Sequence, residues 1–397
     1  NPALYASSAA AACNAPVIVA TSDAGLEISP PLSYCDDAPG RLAAALDASG
    51  RLWKVEADQN GFSLSRYGPD GTRESATPLP GAGQGGDWTI GGDGPGNVYA
   101  LYNASAAAPG GPGAVLYSVS PQGALLSGAE HTRLAGRVSA VDSDGASVWI
   151  AGAADGSAGL WKADSSGLSL AATSPGGSAR AVLADGAGIV WAAGTSGELS
   201  LWRYDQAGGT MSRHDWVNTL GGQGSSARAL LKDEAGDIWI SGWARTQEAS
   251  VAALWRWDGI AISLIAASTG TLAEQASDLG LDAAGRFWLA GPAQIDAAGN
   301  TNLALWQYPA SGGSALLPAG LYPGVAVSSP AKAGNSLAME SGYIRLLGTS
   351  EDGTYRVGTE ARLSQKHDDA AACPPGIRSR QASGAVDPKN KSHRHQI

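Results

Sequence analysis

The sequence predicts an all-β protein, a seven-bladed β-propeller of four-stranded antiparallel blades with an extension at each end of the chain. Two observations predict this fold class. One sequence unit recurs at intervals of 42 to 50 residues, as in proteins built by repeating one supersecondary unit. The composition is rich in turn residues and tryptophan, with 55 Gly and 13 Trp but only 2 Phe among 397 residues. Four-stranded units of this length are typical of propeller blades.

The recurring unit is Asp-x-x-Gly, followed by an aromatic residue in a short apolar run and then by glycine. Its clearest copies lie at 179–194, 227–242 and 276–291. Asp can bond the backbone of a turn and Gly tolerates positive φ, so each copy predicts two strands joined by a tight turn. A seventh copy that has lost its aromatic residue is predicted around Leu337. The aromatic positions are predicted to pack between blades: Trp53, Tyr99, Trp149, Trp191, Trp239 and Trp288.

The repeats place the propeller at residues 41–359. Residues 1–40 form an N-terminal extension, in which the segment 16–21 is a candidate for an outer strand that closes the ring. Residues 360–397 form a C-terminal extension with a basic tail. No apolar run is long enough to span a membrane.

Charge is unevenly distributed along the chain. The net charge of −10 argues against a nucleic-acid surface on the body of the protein. The tail has the opposite sign, and a basic tail on an acidic molecule is expected to dock on an acidic surface of this protein or of a partner. The basic residues of the predicted docking tail are Arg378, Arg380, Lys389, Lys391 and Arg394.

The positions of the cysteines indicate an oxidising compartment. Cys13, Cys35 and Cys373 all lie outside the repeats, where a disulfide could clamp the chain ends. Cys13–Cys35 is the preferred pair; Cys373 with either of them, or three unpaired thiols, are the alternatives. The sequence begins without Met and without the charged and apolar regions of a signal peptide. We therefore expect a mature, secreted protein of the periplasm or cell exterior whose signal peptide has been removed.

The Asp-x-x-Gly-x-h-Trp-h-x-Gly unit, where h is apolar, resembles the blades of streptogramin lyases, of the sensor propellers of two-component regulators and of the wider NHL-like group. The resemblance covers most of residues 42–357 and implies a propeller. The lyases would imply a metal-assisted elimination by histidines on one face. The propeller here offers only His131 and His214, and the lyase motif does not map onto them.

Candidate ligand-binding residues follow from the phase of the repeat. Arg180 and Arg228 lie eleven residues before the aromatic residue of two adjacent blades, which predicts equivalent places beside the central channel. Two guanidiniums there could clamp a carboxylate, phosphate or sulfate. The alternative is that each arginine pairs with a channel aspartate such as Asp278 or with backbone carbonyls. Four further candidates are expected nearby in loops: Trp243, Arg245, His214 and Trp216.

Long loops are predicted at 103–113, 242–252 and 291–302, and binding residues concentrate on long loops of a rigid scaffold. The sequence predicts an exported binding or assembly module for a protein partner or surface ligand, such as a small anion or carbohydrate, in a larger complex. The alternative is a lyase or hydrolase acting on a small or carbohydrate substrate. No catalytic residue, bound metal or cofactor is predicted, so an enzymatic activity is the less favoured hypothesis.

Overall fold

A computed structural model of the chain gives the fold. The chain divides into two units, Asn1–Ser364 and Gln365–Ile397, and every residue that the structure describes belongs to the first. The described residues are 4–5, 17–18, 26–28, 32–34, 43–47, 51–58, 61–68, 72–82, 87–92, 96–104, 113–126, 136–282, 284–294, 297, 301–322, 337–340, 343–349 and 355–363. Within these ranges every regular element is a β-strand, and none contains a helix that could span a membrane.

Six consecutive antiparallel sheets, here sheets 1 to 6, make up most of the structure. Four short strands precede them: β1 Leu4–Tyr5, β2 Val17–Ile18, β3 Leu26–Ile28 and β4 Leu32–Tyr34. The strands of sheets 1 to 3 are β5 Ala44–Leu46, β6 Leu52–Asp58, β7 Gly61–Tyr67 and β8 Arg73–Leu79; β9 Asp87–Gly92, β10 Val98–Ala104 and β11 Gly113–Val119; and β12 Arg137–Ser143, β13 Val148–Ala154, β14 Ser157–Asp164 and β15 Gly167–Ser174. The strands of sheets 4 to 6 are β16 Ser178–Ala184, β17 Ile189–Thr195, β18 Leu199–Asp205 and β19 Thr210–Asp215; β20 Gly221–Lys232, β21 Ile238–Thr246, β22 Ser250–Trp257 and β23 Ile262–Ala267; and β24 Asp278–Leu281, β25 Phe287–Gln294, β26 Thr301–Tyr308 and β27 Leu317–Tyr322.

A seventh sheet combines both ends of the unit. Its strands β28 Leu337–Glu340, β29 Tyr343–Thr349 and β30 Tyr355–Leu363 pair in sequence order, and β30 also pairs with β3 and β4. The outer strand was predicted at 16–21, but β2 at that place pairs with β1 instead. The strands that join the last sheet come from residues 26–34 of the same extension.

The sheets are arranged as the blades of a β-propeller. Strands follow one another in sequence order within each sheet. The first strands of successive sheets, here the inner strands, contact one another from β5 and β9 through β12, β16, β20 and β24 to β28. Such stacking of sequential antiparallel sheets is the propeller architecture. The predicted all-β propeller fold is therefore confirmed, whereas the count of seven blades in the ring stays a prediction.

Apolar side chains fill the space between neighbouring sheets. One core cluster joins Trp191 of sheet 4 to Ile240 of sheet 5, and another joins Trp239 of sheet 5 to Leu289 of sheet 6. The six aromatic residues of the repeat are at most 8% exposed, and the Trp239 ring lies 4.1 Å from that of Phe287. At about 25 cal/mol per Å² each buried indole contributes several kcal/mol.

Candidate anion-binding site

Arg180 and Arg228 occupy equivalent irregularities of two neighbouring inner strands. In β16, Ala179 pairs with Gly194 and Ala181 with Ala193, which leaves Arg180 without a partner on β17. In β20, Ala227 pairs with Gly242 and Ala229 with Ser241, which leaves Arg228 unpaired on β21. Each arginine is therefore the extra residue of a β-bulge, a feature that changes the direction of a side chain.

The final glycine of each repeat makes this bulge possible. A Cβ atom on Gly194 would lie 2.0 Å from the carbonyl oxygen of Ser178, and one on Gly242 would lie 2.0 Å from that of Ser226. No side chain fits at such distances, so only glycine lets the second strand approach the bulged inner strand this closely. The glycine that ends the motif is thus required by the same local geometry that holds the arginines.

Sheet 3 has the corresponding bulge, but it lies ten rather than eleven residues before the aromatic residue of its blade. In β12, Val138 pairs with Gly152 and Ala140 with Ala151, so the bulged residue is Ser139 rather than Val138. The reason is a shorter turn, with five residues from Asp144 to the aromatic residue of this blade against six in sheets 4 and 5. Arg137, which sequence reasoning missed, lies at the start of this inner strand.

Neither arginine of the pair has an acidic partner. Within the described ranges, the side chains of Arg180 and Arg228 form no hydrogen bond or ion pair, and Nε of Arg228 is buried without a hydrogen-bond partner. Both residues are partly exposed, whereas the flanking Ala179 and Ala227 are fully buried. The pairing with Asp278 left open above is not formed, and the carboxylate of Asp278 accepts a hydrogen bond from the backbone N–H of Leu279 at 2.8 Å.

The electrostatics of the three arginines are coupled. Burial, and to a smaller extent the positive charge of Arg180, lower the pKa of Arg228 to about 10. Burial, together with the charge of Arg137, also lowers the pKa of Arg180. Arg180 and Arg228 both remain cationic at neutral pH. Like charges that are partly desolvated and close together are unfavourable, and an oxyanion bound between them would relieve the repulsion.

Two of the four further candidates lie on β21, the strand that pairs with the inner strand of Arg228. Trp243 is on β21 opposite Ser226, one step from the bulge at Arg228; it is partly exposed, and its Nε1 is buried without a hydrogen-bond partner. Arg245, two residues further along β21, is exposed. Residues two apart on a strand share a face, so these side chains project from the same side of sheet 5.

The other two candidates lie elsewhere. His214 is on β19, the fourth strand of sheet 4, so β17 and β18 separate it from Arg180. Its ring is 4.2 Å from that of Trp257, and burial lowers its pKa. Trp216 is only 5% exposed and packs edge-on against Trp255 at 5.4 Å. These positions indicate packing between sheets 4 and 5 rather than membership of the arginine site.

The predicted loop at 242–252 is largely strand. β21 continues to Thr246 and β22 begins at Ser250, so only residues 247–249 connect them. The connection between sheets 4 and 5 is also short, because β19 ends at Asp215 and β20 begins at Gly221. Sheet 5 is thus extended beside Arg228, with a shift of register between Gly221 and Ser225 of β20. Parts of the loops at 103–113 and 291–302 lie outside the described residues.

A carboxyl group that the sequence did not single out lies between sheets 5 and 6. Burial raises the pKa of Glu274, and a hydrogen bond with Ser268 opposes that rise only in part. One carboxyl oxygen, Oε2, is buried without a hydrogen-bond partner. Glu274 belongs to a link between blades, outside the repeat, so no pattern pointed to it.

The remaining predicted residues lie outside the described ranges. These are the cysteines Cys13, Cys35 and Cys373, the histidine His131 and the basic residues of the tail. Among the residues that are described, no group of three or more His, Cys, Asp or Glu is placed to hold a metal ion.

Comparison with known proteins gives similarity of fold alone. No protein-family model matches the chain, and no curated protein sequence is significantly similar to it. Among solved structures, a virginiamycin B lyase from Staphylococcus aureus is 11% identical with a TM-score of 0.48, covering 84% of this chain and 99% of its own. An ulvan lyase of a polysaccharide lyase family is 10% identical with a TM-score of 0.49, covering 85% and 94%. A protein from Lactobacillus plantarum is 14% identical with a TM-score of 0.46, covering 78% and 89%. The similar structures include a streptogramin lyase, in agreement with the resemblance of the blades.

Proposed function

We propose that the chain is a binding propeller that recognises an anionic group of a ligand or partner through Arg180 and Arg228. One observation carries the proposal. Two partly buried guanidiniums lie at equivalent bulges of adjacent inner strands, and within the described part of the chain neither forms an ion pair. Buried charges without partners are costly, so this arrangement does not serve stability and is suited to a ligand that supplies the negative charge.

The chemistry favours binding over catalysis. A guanidinium with a pKa of about 10 stays protonated at neutral pH, so the pair supplies charge and hydrogen-bond donors rather than proton transfer. Its planar donors suit carboxylate, phosphate or sulfate oxygens. The lyase or hydrolase alternative stays a prediction.

The test is calorimetric titration of the full chain with sulfate, phosphate and acetate at constant ionic strength. The double variant Arg180→Gln/Arg228→Gln is expected to lose at least about tenfold in affinity, since each charge-assisted contact is worth roughly 1.5–3 kcal/mol. Arg203→Gln is the matched control, because Arg203 lies on β18 of the same blade beside Asp205 at 3.9 Å. Equal affinity of the double variant and the wild type would refute the proposal.

Stability gives an independent readout. In anion-free buffer the double variant should unfold at the same or a higher temperature than the wild type, because two unpaired charges are removed from a partly buried place. A large loss of stability would mean instead that the arginines hold the fold together.

We further propose that the propeller works outside the cytoplasm as a subunit of a larger assembly. The net charge of −10, the basic residues of the tail and the three cysteines outside the repeats support this. Native mass measured after purification from the source tests it. Recovery in a complex that is lost on removal of residues 374–397 supports docking through the tail, and a monomer of 39.9 kDa in every preparation contradicts it.

A further inference from the structure

A serine occupies in sheet 6 the place that the arginines occupy in sheets 4 and 5. Ser277 lies eleven residues before Trp288, the same spacing that separates each arginine of the pair from the aromatic residue of its blade. A Cβ atom on Gly291 would lie 2.0 Å from the carbonyl oxygen of Gln275, two residues before Ser277. The glycines opposite the bulges of sheets 4 and 5 show the same distance to the equivalent carbonyl oxygen. Ser277 is therefore the counterpart of the arginines in the next blade.

A hydrogen bond joins the segment of this serine to the bulge of sheet 5. The backbone N–H of Ala276 donates to the carbonyl oxygen of Gly242 at 3.1 Å, and Gly242 pairs with Ala227, the residue before Arg228. Only Gly242 thus separates the residue before Ser277 from the residue before Arg228. The serine flanks the arginine pair on the side of Arg228.

The hydroxyl group of Ser277 is not used within the described part of the chain. Its Oγ is buried without a hydrogen-bond partner, as is Nε of Arg228. A buried polar group that forms no hydrogen bond is unfavourable. Both groups can donate a hydrogen bond, and the hydroxyl adds a donor without adding charge. Two unused donors in successive blades indicate that the acceptor comes from a ligand.

We propose that Ser277 is a third ligand-binding residue of the arginine site and makes it select tetrahedral oxyanions, a phosphate or sulfate group, over carboxylates. This inference rests on the proposed anion-binding function. The three donors belong to three successive blades and therefore approach a ligand from different directions. A carboxylate has two oxygens in one plane, which the guanidiniums can occupy. A phosphate or sulfate group has further oxygens outside that plane, which leaves an acceptor for the hydroxyl group.

The experiment compares acetate with methanesulfonate, which has the same charge and the same methyl group but a tetrahedral head with three oxygens. Calorimetry on the full chain at constant ionic strength gives both affinities for the wild type and for Ser277→Ala. Each anion is compared with itself in the two proteins, so differences in acceptor strength between the anions cancel. Ser277→Ala should bind methanesulfonate about tenfold more weakly, the effect of one hydrogen bond to a charged group, and acetate within about twofold of the wild type.

Ser263→Ala is the matched control, since Ser263 is an exposed serine on β23, the outermost strand of sheet 5. It should leave both affinities unchanged. In anion-free buffer Ser277→Ala should unfold at the temperature of the wild type or above it, because no hydrogen bond is lost. If the wild type binds neither anion, the proposed function fails. If Ser277→Ala binds methanesulfonate as tightly as the wild type does, or loses affinity for both anions equally, only the role of Ser277 is overturned.

Discussion

At the scale of single residues, the aspartate of the repeat joins the turn to the core. One carboxylate oxygen accepts hydrogen bonds from turn backbone, as Oδ1 of Asp282 does from Arg286 N–H at 2.9 Å. The other accepts the indole N–H of the repeat tryptophan. This second bond recurs in four blades: Asp47 with Trp53 at 3.1 Å, Asp144 with Trp149 at 3.0 Å, Asp233 with Trp239 at 2.8 Å and Asp282 with Trp288 at 2.9 Å. The repeat thus keeps Asp and Trp together because the carboxylate of Asp accepts the hydrogen bond that the buried indole N–H of Trp donates.

Replacement of Asp282 should be among the most destabilising changes in sheet 6. Asp282→Ala removes its hydrogen bonds and leaves the buried N–H of Trp288 unpaired, for which we expect a loss of about 3 kcal/mol in the free energy of unfolding. Asp282→Asn keeps one oxygen as acceptor but turns an amide N–H₂ toward the donors that bonded the other oxygen, so it should lose less than Asp282→Ala, about 2 kcal/mol. Urea denaturation of the three proteins measures this. Equal losses in both variants would show that the hydrogen bonds are not the cause.

The pH dependence of that loss follows from the pKa. Burial raises the pKa of Asp282, but the hydrogen bonds from Trp288 and Arg286 outweigh it, so the pKa lies below its usual value. A carboxyl whose pKa is lowered by folding stabilises the protein above its unfolded pKa of about 3.9, and this contribution is lost as the pH falls through the folded pKa. The difference between the wild type and Asp282→Ala should therefore shrink in acid.

At the scale of strands, the bulge of the inner strand and the glycine opposite it form one structural unit. The inner strand gains a residue, the second strand approaches it closely, and the arginine leaves the regular ladder. Ala179 and Ala227, next to the bulges, are fully buried, so the bulge is enclosed by packed backbone on one side. The inner strand thus fixes where each arginine leaves the ladder, although its side chain forms no ion pair in the described part of the chain.

Gly242→Ala should disrupt the bulge at Arg228. The new Cβ would lie 2.0 Å from Ser226 O and 3.0 Å from the Cα of Ala227, so β20 and β21 must separate at a loss of about 3 kcal/mol or more. Anion affinity should fall with it, because Arg228 is displaced. Gly208→Ala is the control, as its nearest neighbour would be a side-chain atom of Thr210 at 3.4 Å. Urea denaturation measures the loss of stability, and sulfate titration measures the affinity. An unchanged sulfate affinity in Gly242→Ala would show that anion binding does not depend on the bulge.

How far the sequence could predict these strands depends on the residue. The repeat phase placed Trp239 and Arg228 correctly in their strands because Asp, Gly and Trp keep a fixed spacing in most blades. It did not predict the bulges, and the spacing differs in sheet 3, where the turn is shorter by one residue and the bulge lies at Ser139. Residues 242–246 also looked like a loop because small and polar residues do not alternate, yet pairing with β20 and β22 makes them strand.

At the scale of the whole molecule, the pair Arg180 and Arg228 is a positive site on an acidic chain. A net charge of −10 repels anions at long range, so affinity must come from close contacts with the guanidiniums. Long-range repulsion is screened by salt more strongly than contacts within a partly buried site. The molecule as a whole therefore disfavours weak, non-specific anion binding, and selectivity depends on the arginine pair itself.

The two ends of the first unit meet in the last sheet, and this contact predicts how truncation acts. Removal of residues 1–36 takes away β3 and β4 and leaves the nine-residue strand β30 with an unpaired edge. Exposed edges recruit other strands, so we expect a lower unfolding temperature and self-association in light scattering. Removal of residues 1–21 is the control, because β1 and β2 pair with each other; both truncations are compared under reducing conditions, since each removes Cys13. A peptide of residues 22–37 added to the longer truncation should restore the monomer by pairing with β30, whereas equal behaviour of the two truncations would mean that β3 and β4 do not hold the ends of the chain together.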